Sequence, residues 1–173
     1  MDASSAELKE RENMPNKLRE SARRVQEFLS AKGFVFEVQE LPGSTRTAKE
    51  AADSVGCQVG QIAKSLVFKD KSTGEPVLVV ASGANRVDLK KIKAATGLRL
   101  GRADGNYVKE KVGFAIGGVP PAGHIRPLPT LLDPDLKRHD TIWAAAGTPF
   151  ALFQLKPDDL EPLTDGRWVE LSE

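Results

Sequence analysis

One lysine stands inside a stretch of sequence that otherwise favours a buried β-strand. Lys64 lies in IAKSLVF, residues 62–68, a run dominated by β-branched, aromatic and other apolar residues. A lysine is seldom buried without a partner, because desolvation disfavours its charged form. Its amine is therefore a candidate catalytic group for a substrate that carries a carbonyl or a phosphate. The pattern alone also allows a lysine whose aliphatic stem lies along the sheet while its ammonium stays in water.

A glycine- and proline-rich segment forms the second part of a candidate site. The sequence GGVPPAGH, residues 117–124, follows a short apolar run at residues 114–116. Glycines permit backbone conformations in which several N–H groups face one ligand, although the same composition also suits a simple tight turn. The candidate ligand-binding residues of this segment are Gly117, Gly118, Val119, Pro121 and Gly123.

Composition limits the class of protein. With 173 residues, 40% of them hydrophobic, the chain is long enough for one domain with a real core. Lys and Arg total 25 against 24 Asp and Glu, so the net charge of +1 offers no argument for binding nucleic acid, and no DNA partner is expected. The single cysteine, Cys57, cannot form an internal disulfide and indicates a reducing compartment. No apolar run approaches the roughly 18 residues of a membrane span, so we expect a cytoplasmic protein without a membrane partner.

The order of the elements predicts one α+β (mixed α/β) domain at residues 16–173, after a flexible lead-in at residues 1–15. Residues 62–68 and 76–81 favour a hairpin that is buried at its middle. Helical spacing and capping residues predict helices at residues 16–33, 47–56 and 87–97, a short helix that ends at Lys111 after a turn at Gly105-Asn106, and one helical turn at 157–160. Further strands are expected at residues 34–38, 114–116, 141–144, 151–155 and 168–171.

Two more residues have alternative interpretations. Ser82 follows the second hairpin strand, where its hydroxyl could line a pocket or serve only the local structure. His124 is expected to brace the glycine-rich segment rather than to act as an acid or base. Neither glycine cluster precedes a helix with the spacing of a P-loop or a Rossmann fingerprint, which argues against those classes of nucleotide site.

Five sequence blocks occur in an order that resembles the YbaK/prolyl-tRNA synthetase-associated domain family. The resemblance covers about residues 16–171. The blocks are TAKEAA at residues 47–52, QIAKSLVF at 61–68, VVASG at 79–83, RVDLKK at 86–91 and GVPPAG at 118–123.

The resemblance implies a fold, an activity and a set of site residues. Members of the family are freestanding, ProX-like aminoacyl-tRNA deacylases that act in trans, typically on tRNA for proline. Their fold is a curved mixed sheet flanked by helices, with a small pocket between the lysine strand and the glycine-rich loop. The catalytic lysine of the family corresponds to Lys64, and its G-x-x-P-x-G motif to Gly118, Pro121 and Gly123. Backbone donors aimed at the ester carbonyl can perform this hydrolysis, so no metal or cofactor is expected.

The expected substrate follows from the segment WAAAG, residues 143–147, where some members carry a polar pocket residue. With Ala145 and Gly147 as walls, we expect a small amino acid, alanine first, on a proline-type tRNA. A hydrophobic pocket separates near-isosteres by only about 1–3 kcal/mol, so seryl-, threonyl- or cysteinyl-tRNA remains an alternative. Hydroxyls of Ser65, Ser82 or Thr45 would favour a hydroxyl-bearing substrate.

A non-catalytic protein of the same fold is the alternative function. Such a module would bind the acceptor end of tRNA or a synthetase without hydrolysing anything. Lys64 favours the enzyme, because a scaffold has little reason to place an amine in an apolar strand. The near-neutral charge suits assistance by a synthetase as a second partner. The sequence indicates neither the oligomeric state nor the tRNA identity elements.

Overall fold

The computed structural model describes residues 18–173, so the predicted lead-in and the first two residues of the helix predicted at 16–33 lie outside the described residues. The helices are α1 Glu20–Ala31, α2 Ala48–Val55, α3 Leu89–Thr96, α4 Gly105–Val112 and α5 Leu160–Thr164. The strands are β1 Val38–Glu40, β2 Ile62–Asp70, β3 Pro76–Ser82, β4 Leu100–Arg102, β5 Thr130–Leu132, β6 Ile142–Ala145, β7 Ala151–Leu155 and β8 Arg167–Trp168. Short 3-10 helices occur at Val59–Gln61, Pro134–Arg138 and Pro157–Asp159.

All eight described strands belong to one mixed sheet. Their order is β1-β7-β6-β2-β3-β5-β8, and β4 pairs with one end of β2. The β2–β6, β3–β5 and β5–β8 pairs are parallel, whereas β1–β7, β6–β7, β2–β3 and β2–β4 are antiparallel. The predicted single mixed α/β domain is therefore confirmed. None of the described helices is both long and apolar enough to cross a membrane.

The predicted β2–β3 hairpin forms the centre of the sheet. It pairs seven residues, from Ala63 opposite Ser82 to Lys69 opposite Pro76. Every residue of β3 is buried, because α1 and α3 contribute to core clusters that contain alternate residues of this strand. The middle of β2 is only half-buried, so the expectation of burial holds for β3 but not for β2. The hairpin thus gives β2 a rigid neighbour on one side.

Capping residues explain most of the helix boundaries. Thr47 accepts a hydrogen bond from the Glu50 amide at the start of α2, and Asp88 accepts from the Lys90 amide at the start of α3. The predicted turn at Gly105-Asn106 is wrong, since these residues begin α4. Asp104 caps that helix by accepting from the Tyr107 amide.

Short apolar runs were the least informative part of the sequence. Residues 114–116 form no strand; Phe114 is buried in the core instead, so its apolar character reflects packing. Only Val38 of the predicted strand at 34–38 belongs to β1. The three-residue strands β4 and β5 were not predicted, because such short segments carry little periodicity.

Gly147 offers a test of how the β6–β7 turn packs against α1. Its φ is +94°, and a Cβ there would lie 2.5 Å from the backbone oxygen of Ser21. We expect Gly147→Ala to lower the free energy of unfolding by about 2 kcal/mol or more, through backbone strain and overpacking. Gly56 is the control, because its φ is +71° and no atom lies within 4 Å of the position that a Cβ would take. Gly56→Ala should cost about 1 kcal/mol in urea unfolding, and equal losses for the two variants would contradict the packing argument.

Candidate active site

A cavity of about 440 Å³ opens beside β2. It lies between the start of α2, the end of β4, the glycine-rich segment and the end of β6. Because it is mostly apolar with a few polar groups, it has the character of a small-ligand site. The lining residues used below are Thr45, Arg46, Lys64, Ser65, Arg102, Ile116, Gly117, Val119 and Ala145.

Lys64 is half-buried in the wall of this cavity, and its ammonium is held by the chain that follows β3. Its Nζ donates a hydrogen bond of 2.8 Å to the backbone oxygen of Asn85. Burial lowers the pKa of Lys64, the carboxylate of Asp133 opposes that shift, and the nearby Arg86 lowers the pKa further. The amine is therefore fixed in position and is easier to deprotonate than an exposed lysine.

A buried carboxylate organises the backbone around Lys64. Asp133 is 1% exposed, and its Oδ2 accepts from the Ser82 amide at 3.0 Å and from Asn85 Nδ2 at 2.8 Å. Its Oδ1 accepts from the Asp135 amide at 2.9 Å. Asn85 Nδ2 also donates to Asp135 Oδ2. These bonds hold the Asn85 side chain, and the backbone oxygen of the same residue accepts the hydrogen bond from Lys64 Nζ.

Three of the other predicted site residues lie with Lys64 in the cavity wall. They are Gly117 and Val119 of the glycine-rich segment and Ala145 at the end of β6. Gly117 has φ +95°, and a Cβ there would lie 2.9 Å from the Arg46 side chain. The close approach brings Arg46 to the rim of the cavity.

Five predicted site residues lie outside the cavity wall. The amide of Gly118 donates to the oxygen of Ala115, and its own oxygen accepts from the Gly147 amide. The Ser82 hydroxyl donates to Gly60 O at 2.8 Å. The remaining ones are Gly123, which packs on the Phe28 ring, the buried Pro121, and Gly147, which packs on Ser21. Each of them shapes the segments that border the cavity.

His124 braces the glycine-rich segment. Its Nε2 lies 2.7 Å from Pro120 O, and its ring stands edge-on to Phe114. Burial lowers the pKa of His124, while the bond to Pro120 O opposes that shift. The neutral ring with a proton on Nε2 satisfies this contact.

Sequence reasoning did not find Arg46, Arg102 or Asp133 as parts of the site. Arg46 precedes a helix cap and Arg102 ends a strand that was not predicted, so only the fold brings them to the cavity. Asp133 follows β5, another strand without a clear pattern. The acidic residue directly after Leu131 and Leu132 is the one signal in the sequence that could have indicated it.

Asp133→Asn should test the structural role of the buried carboxylate and its electrostatic effect on Lys64 by two different measurements. An amide cannot accept all three hydrogen bonds, so the free energy of unfolding should fall by about 1–3 kcal/mol. Loss of the negative charge should also lower the pKa of Lys64 further, so the amine loses its proton at a lower pH than in the wild type. NMR titration of labelled lysine measures the second effect.

The matched control is Asp135→Asn, which neutralises the more exposed carboxylate that accepts from the same Asn85 amide. In Asp135→Asn the pKa of Lys64 should stay closer to the wild-type value than it does in Asp133→Asn. An unchanged Lys64 titration in Asp133→Asn would contradict the electrostatic role.

Comparison with known proteins gives a consistent result. The family model of the aminoacyl-tRNA editing domain matches residues 43–163. A solved structure described as a candidate trans-editing enzyme for prolyl tRNA synthetase is 52% identical, with a TM-score of 0.84, and the match covers 90% of this chain and 99% of that chain.

Two curated proteins are also similar. The uncharacterized protein YwhH of Bacillus subtilis is 32% identical over 136 residues, 78% of this chain and 86% of that protein. EbsC of Enterococcus faecalis, named as a candidate Cys-tRNA(Pro)/Cys-tRNA(Cys) deacylase, is 30% identical over 129 residues, 73% of this chain and 77% of that protein. These matches confirm the resemblance carried by the five sequence blocks, and the chain belongs to the aminoacyl-tRNA editing domain family.

Proposed function

We propose that this protein is a trans-acting hydrolase that cleaves the ester of a mischarged aminoacyl-tRNA. The observation that carries the proposal is the cavity beside β2, whose wall contains the anchored amine of Lys64. Membership of the editing-domain family supports the reaction class. The volume of about 440 Å³ suits the aminoacylated end of a tRNA rather than a larger part of it.

The charges at the cavity suit an acceptor end. Arg46, Lys64 and Arg102 line the wall, and no described carboxylate lines it with them. Arginine is well suited to phosphate, so the two guanidinium groups would hold the terminal phosphates. The net charge of +1 suits a modest affinity for tRNA, which a synthetase partner would supplement.

The proposed chemistry is ester hydrolysis without a metal ion, because an amine and backbone donors can polarise the carbonyl. Water adds to the ester carbonyl carbon, the bond to the ribose oxygen breaks, and that oxygen takes up a proton. The products are the free amino acid and the uncharged tRNA. The ammonium of Lys64 would offset negative charge that develops on the reacting oxygens.

In this proposal the predicted residues act in two ways. Lys64 is the catalytic residue, and Gly117, Val119 and Ala145 contact the aminoacyl group from the wall. The others hold the surrounding backbone: Gly118, Pro121, Gly123, Gly147 and Ser82.

The proposed substrate is a small amino acid, alanine first, on a proline-type tRNA. The apolar part of the wall, with Ala145, supports alanine, whereas the Thr45 and Ser65 hydroxyls in the same wall favour a hydroxyl-bearing alternative. Proline itself would be excluded by the shape of its ring, which matters because cleavage of the correct product would undo charging. Seryl-, threonyl- and cysteinyl-tRNA are the alternatives, and the name of EbsC draws attention to the last of these for that protein.

The decisive experiment is a deacylation screen with purified protein and a panel of mischarged tRNAs. Release of alanine from alanyl-tRNA(Pro), with prolyl-tRNA(Pro) left intact, is the expected result. Faster release from a seryl, threonyl or cysteinyl ester would overturn the substrate but keep the reaction class. Tight tRNA binding without hydrolysis of any ester would favour the non-catalytic module.

Lys64→Ala should abolish deacylation and leave the fold intact, because the variant removes the proposed catalytic amine from a half-buried position. Lys64→Arg should restore little activity, since a planar guanidinium differs in shape from an ammonium. Single-turnover hydrolysis and circular dichroism measure the two properties. Lys69→Ala on the exposed part of β2 is the control and should behave as the wild type. A folded and fully active Lys64→Ala protein would contradict the proposed mechanism.

Ala145→Leu should narrow the cavity from the β6 side. We expect it to lower kcat/KM for alanyl-tRNA(Pro) at least tenfold, as in other pockets that discriminate by roughly 1–3 kcal/mol. Hydrolysis of a glycyl ester on the same tRNA, which needs less room, should fall less and serves as the internal control. An equal loss for both esters would show that Ala145 does not select by size.

A further inference from the structure

One edge of β2 has a gap in its strand pairing. On the side away from β3, β6 pairs only with Ile62 and Ala63, and β4 pairs only with Phe68, Lys69 and Asp70. No described strand pairs with residues 64–67 on that side, which we call the open edge. The cavity lies along this open edge, since residues 64–67 all line it.

The direction of the backbone groups along β2 follows from the bonds at the two ends of the hairpin. The Gly83 amide donates to Ile62 O, and the Asp70 amide donates to Glu75 O. Even-numbered residues of β2 therefore direct their N–H and C=O groups toward β3, because the pattern in an antiparallel pair alternates with period two. Ser65 and Val67 direct theirs toward the open edge. None of the bonds among described residues satisfies them.

Where β6 borders the gap, one of its backbone carbonyls lacks a hydrogen-bond donor among the described residues. The Ala146 amide donates to Ala151 O, so even-numbered residues of β6 face β7 and Ala145 faces β2. Pairing between β2 and β6 stops at Ala63 opposite Ala144. The carbonyl of Ala145 and the amide of Ser65 thus lie on either side of the point where the two strands separate.

Two hydroxyl groups in the cavity wall lack hydrogen-bond partners within the described part of the chain. Among the described residues, Thr45 Oγ1 and Ser65 Oγ are the buried side-chain polar atoms without a hydrogen bond. Both residues line the cavity. An unsatisfied buried polar atom costs about 1–3 kcal/mol, so a polar ligand that supplies the missing bonds would bind favourably here.

The occupant of the open edge must be short. Four strand residues span about 13 Å, and β6 and β4 close the two ends, so an added polypeptide strand cannot continue past them. The occupant must also offer both a donor and an acceptor, because Ser65 presents one of each. A single aminoacyl residue, with its α-amino group and its ester carbonyl, has this composition.

We propose that the backbone of Ser65 exchanges two hydrogen bonds with the aminoacyl group, in the manner of a neighbouring strand. The Ser65 N–H donates to the ester carbonyl oxygen, and the Ser65 C=O accepts from the α-amino group. This inference rests on the proposed function, since it assigns the polar contacts of that substrate. The geometry matches an antiparallel pair, in which two facing residues exchange both bonds.

The Ser65 amide then acts on the reaction itself. A backbone donor to the ester carbonyl stabilises the negative charge that develops on this oxygen as water adds. The Gly118 amide is already bonded to Ala115 O, whereas the Ser65 amide has no partner among the described residues and faces the open edge. Both contacts are made by backbone groups of Ser65 to backbone-like groups of the substrate. They are therefore the same for any aminoacyl group with a small side chain.

An amide-to-ester exchange at Ser65 tests the proposal. Incorporation of the α-hydroxy acid counterpart of serine removes the N–H and keeps the side chain. We expect this variant to fold and to lose about 100-fold in kcat, the range for losing one such donor. The matched control is the same exchange at Leu78, whose amide donates to Pro129 O within the sheet. It should lower the melting temperature and leave kcat/KM of the folded protein within about threefold.

Binding of a non-hydrolysable probe separates this inference from the proposed function. The probe is 3′-deoxy-3′-(L-alanylamino)adenosine, measured by calorimetry against its propionyl counterpart, which lacks the α-amino group. The alanyl probe should bind the wild type at least tenfold more tightly than the propionyl probe does. The amide-to-ester exchange at Ser65 should weaken binding of the alanyl probe.

The outcomes are distinguishable. Hydrolysis by the wild type with an unaffected Ser65 ester variant would overturn the backbone contact and keep the proposed function. Equal affinity for the two probes would overturn the assignment to Ser65. A loss of kcat after the amide-to-ester exchange at Val67, without such a loss after the exchange at Ser65, would overturn it as well. Binding of the alanyl probe without hydrolysis of any aminoacyl-tRNA would overturn the proposed function and keep the subsite. Absence of binding by both probes would overturn the subsite.

Discussion

The buried carboxylate of Asp133 is the interaction on which the geometry around Lys64 depends. It joins the end of β3, the turn at Asn85 and the 3-10 helix after β5 through three hydrogen bonds. A buried charge is costly unless it is fully hydrogen-bonded, so these segments have little freedom to separate. The same charge lies close enough to Lys64 to favour its protonated form against burial. One side chain thus helps to position the amine, through Asn85, and opposes the loss of its proton that burial favours.

The sequence was most informative where local and global signals agreed. Thr47 and Asp88 cap helices at the two places where capping residues and helical spacing predicted them, and the hairpin around Lys64 formed with its predicted strands. The site was predictable only in part, because side chains such as Arg102 reach the cavity from a strand of three residues. The open edge of β2 was also hidden, since the extent of pairing between strands that are distant in sequence leaves no trace in either strand alone.

The glycine-rich segment both lines the cavity and packs inside the protein. Gly117 lies in the cavity wall, whereas Gly118 and Gly123 make close contacts inside the protein. A Cβ on Gly118 would lie 2.8 Å from the backbone of Thr148, so this glycine sets the distance between two loops. The presence of glycine in such a segment therefore does not by itself identify a residue that touches substrate. The position of each backbone amide decides that question.

The topology of the sheet also bears on how the protein acquires its cavity during synthesis. The hairpin of β2 and β3 is local, but Val38 of β1 pairs with Phe153 and Ile62 of β2 pairs with Trp143. Pairing of such distant segments closes long loops and slows folding. The wall that includes Ala145 and Leu152 can close only after most of the chain has left the ribosome. A nascent chain would thus present the lysine strand early, while the complete cavity is among the last features to form.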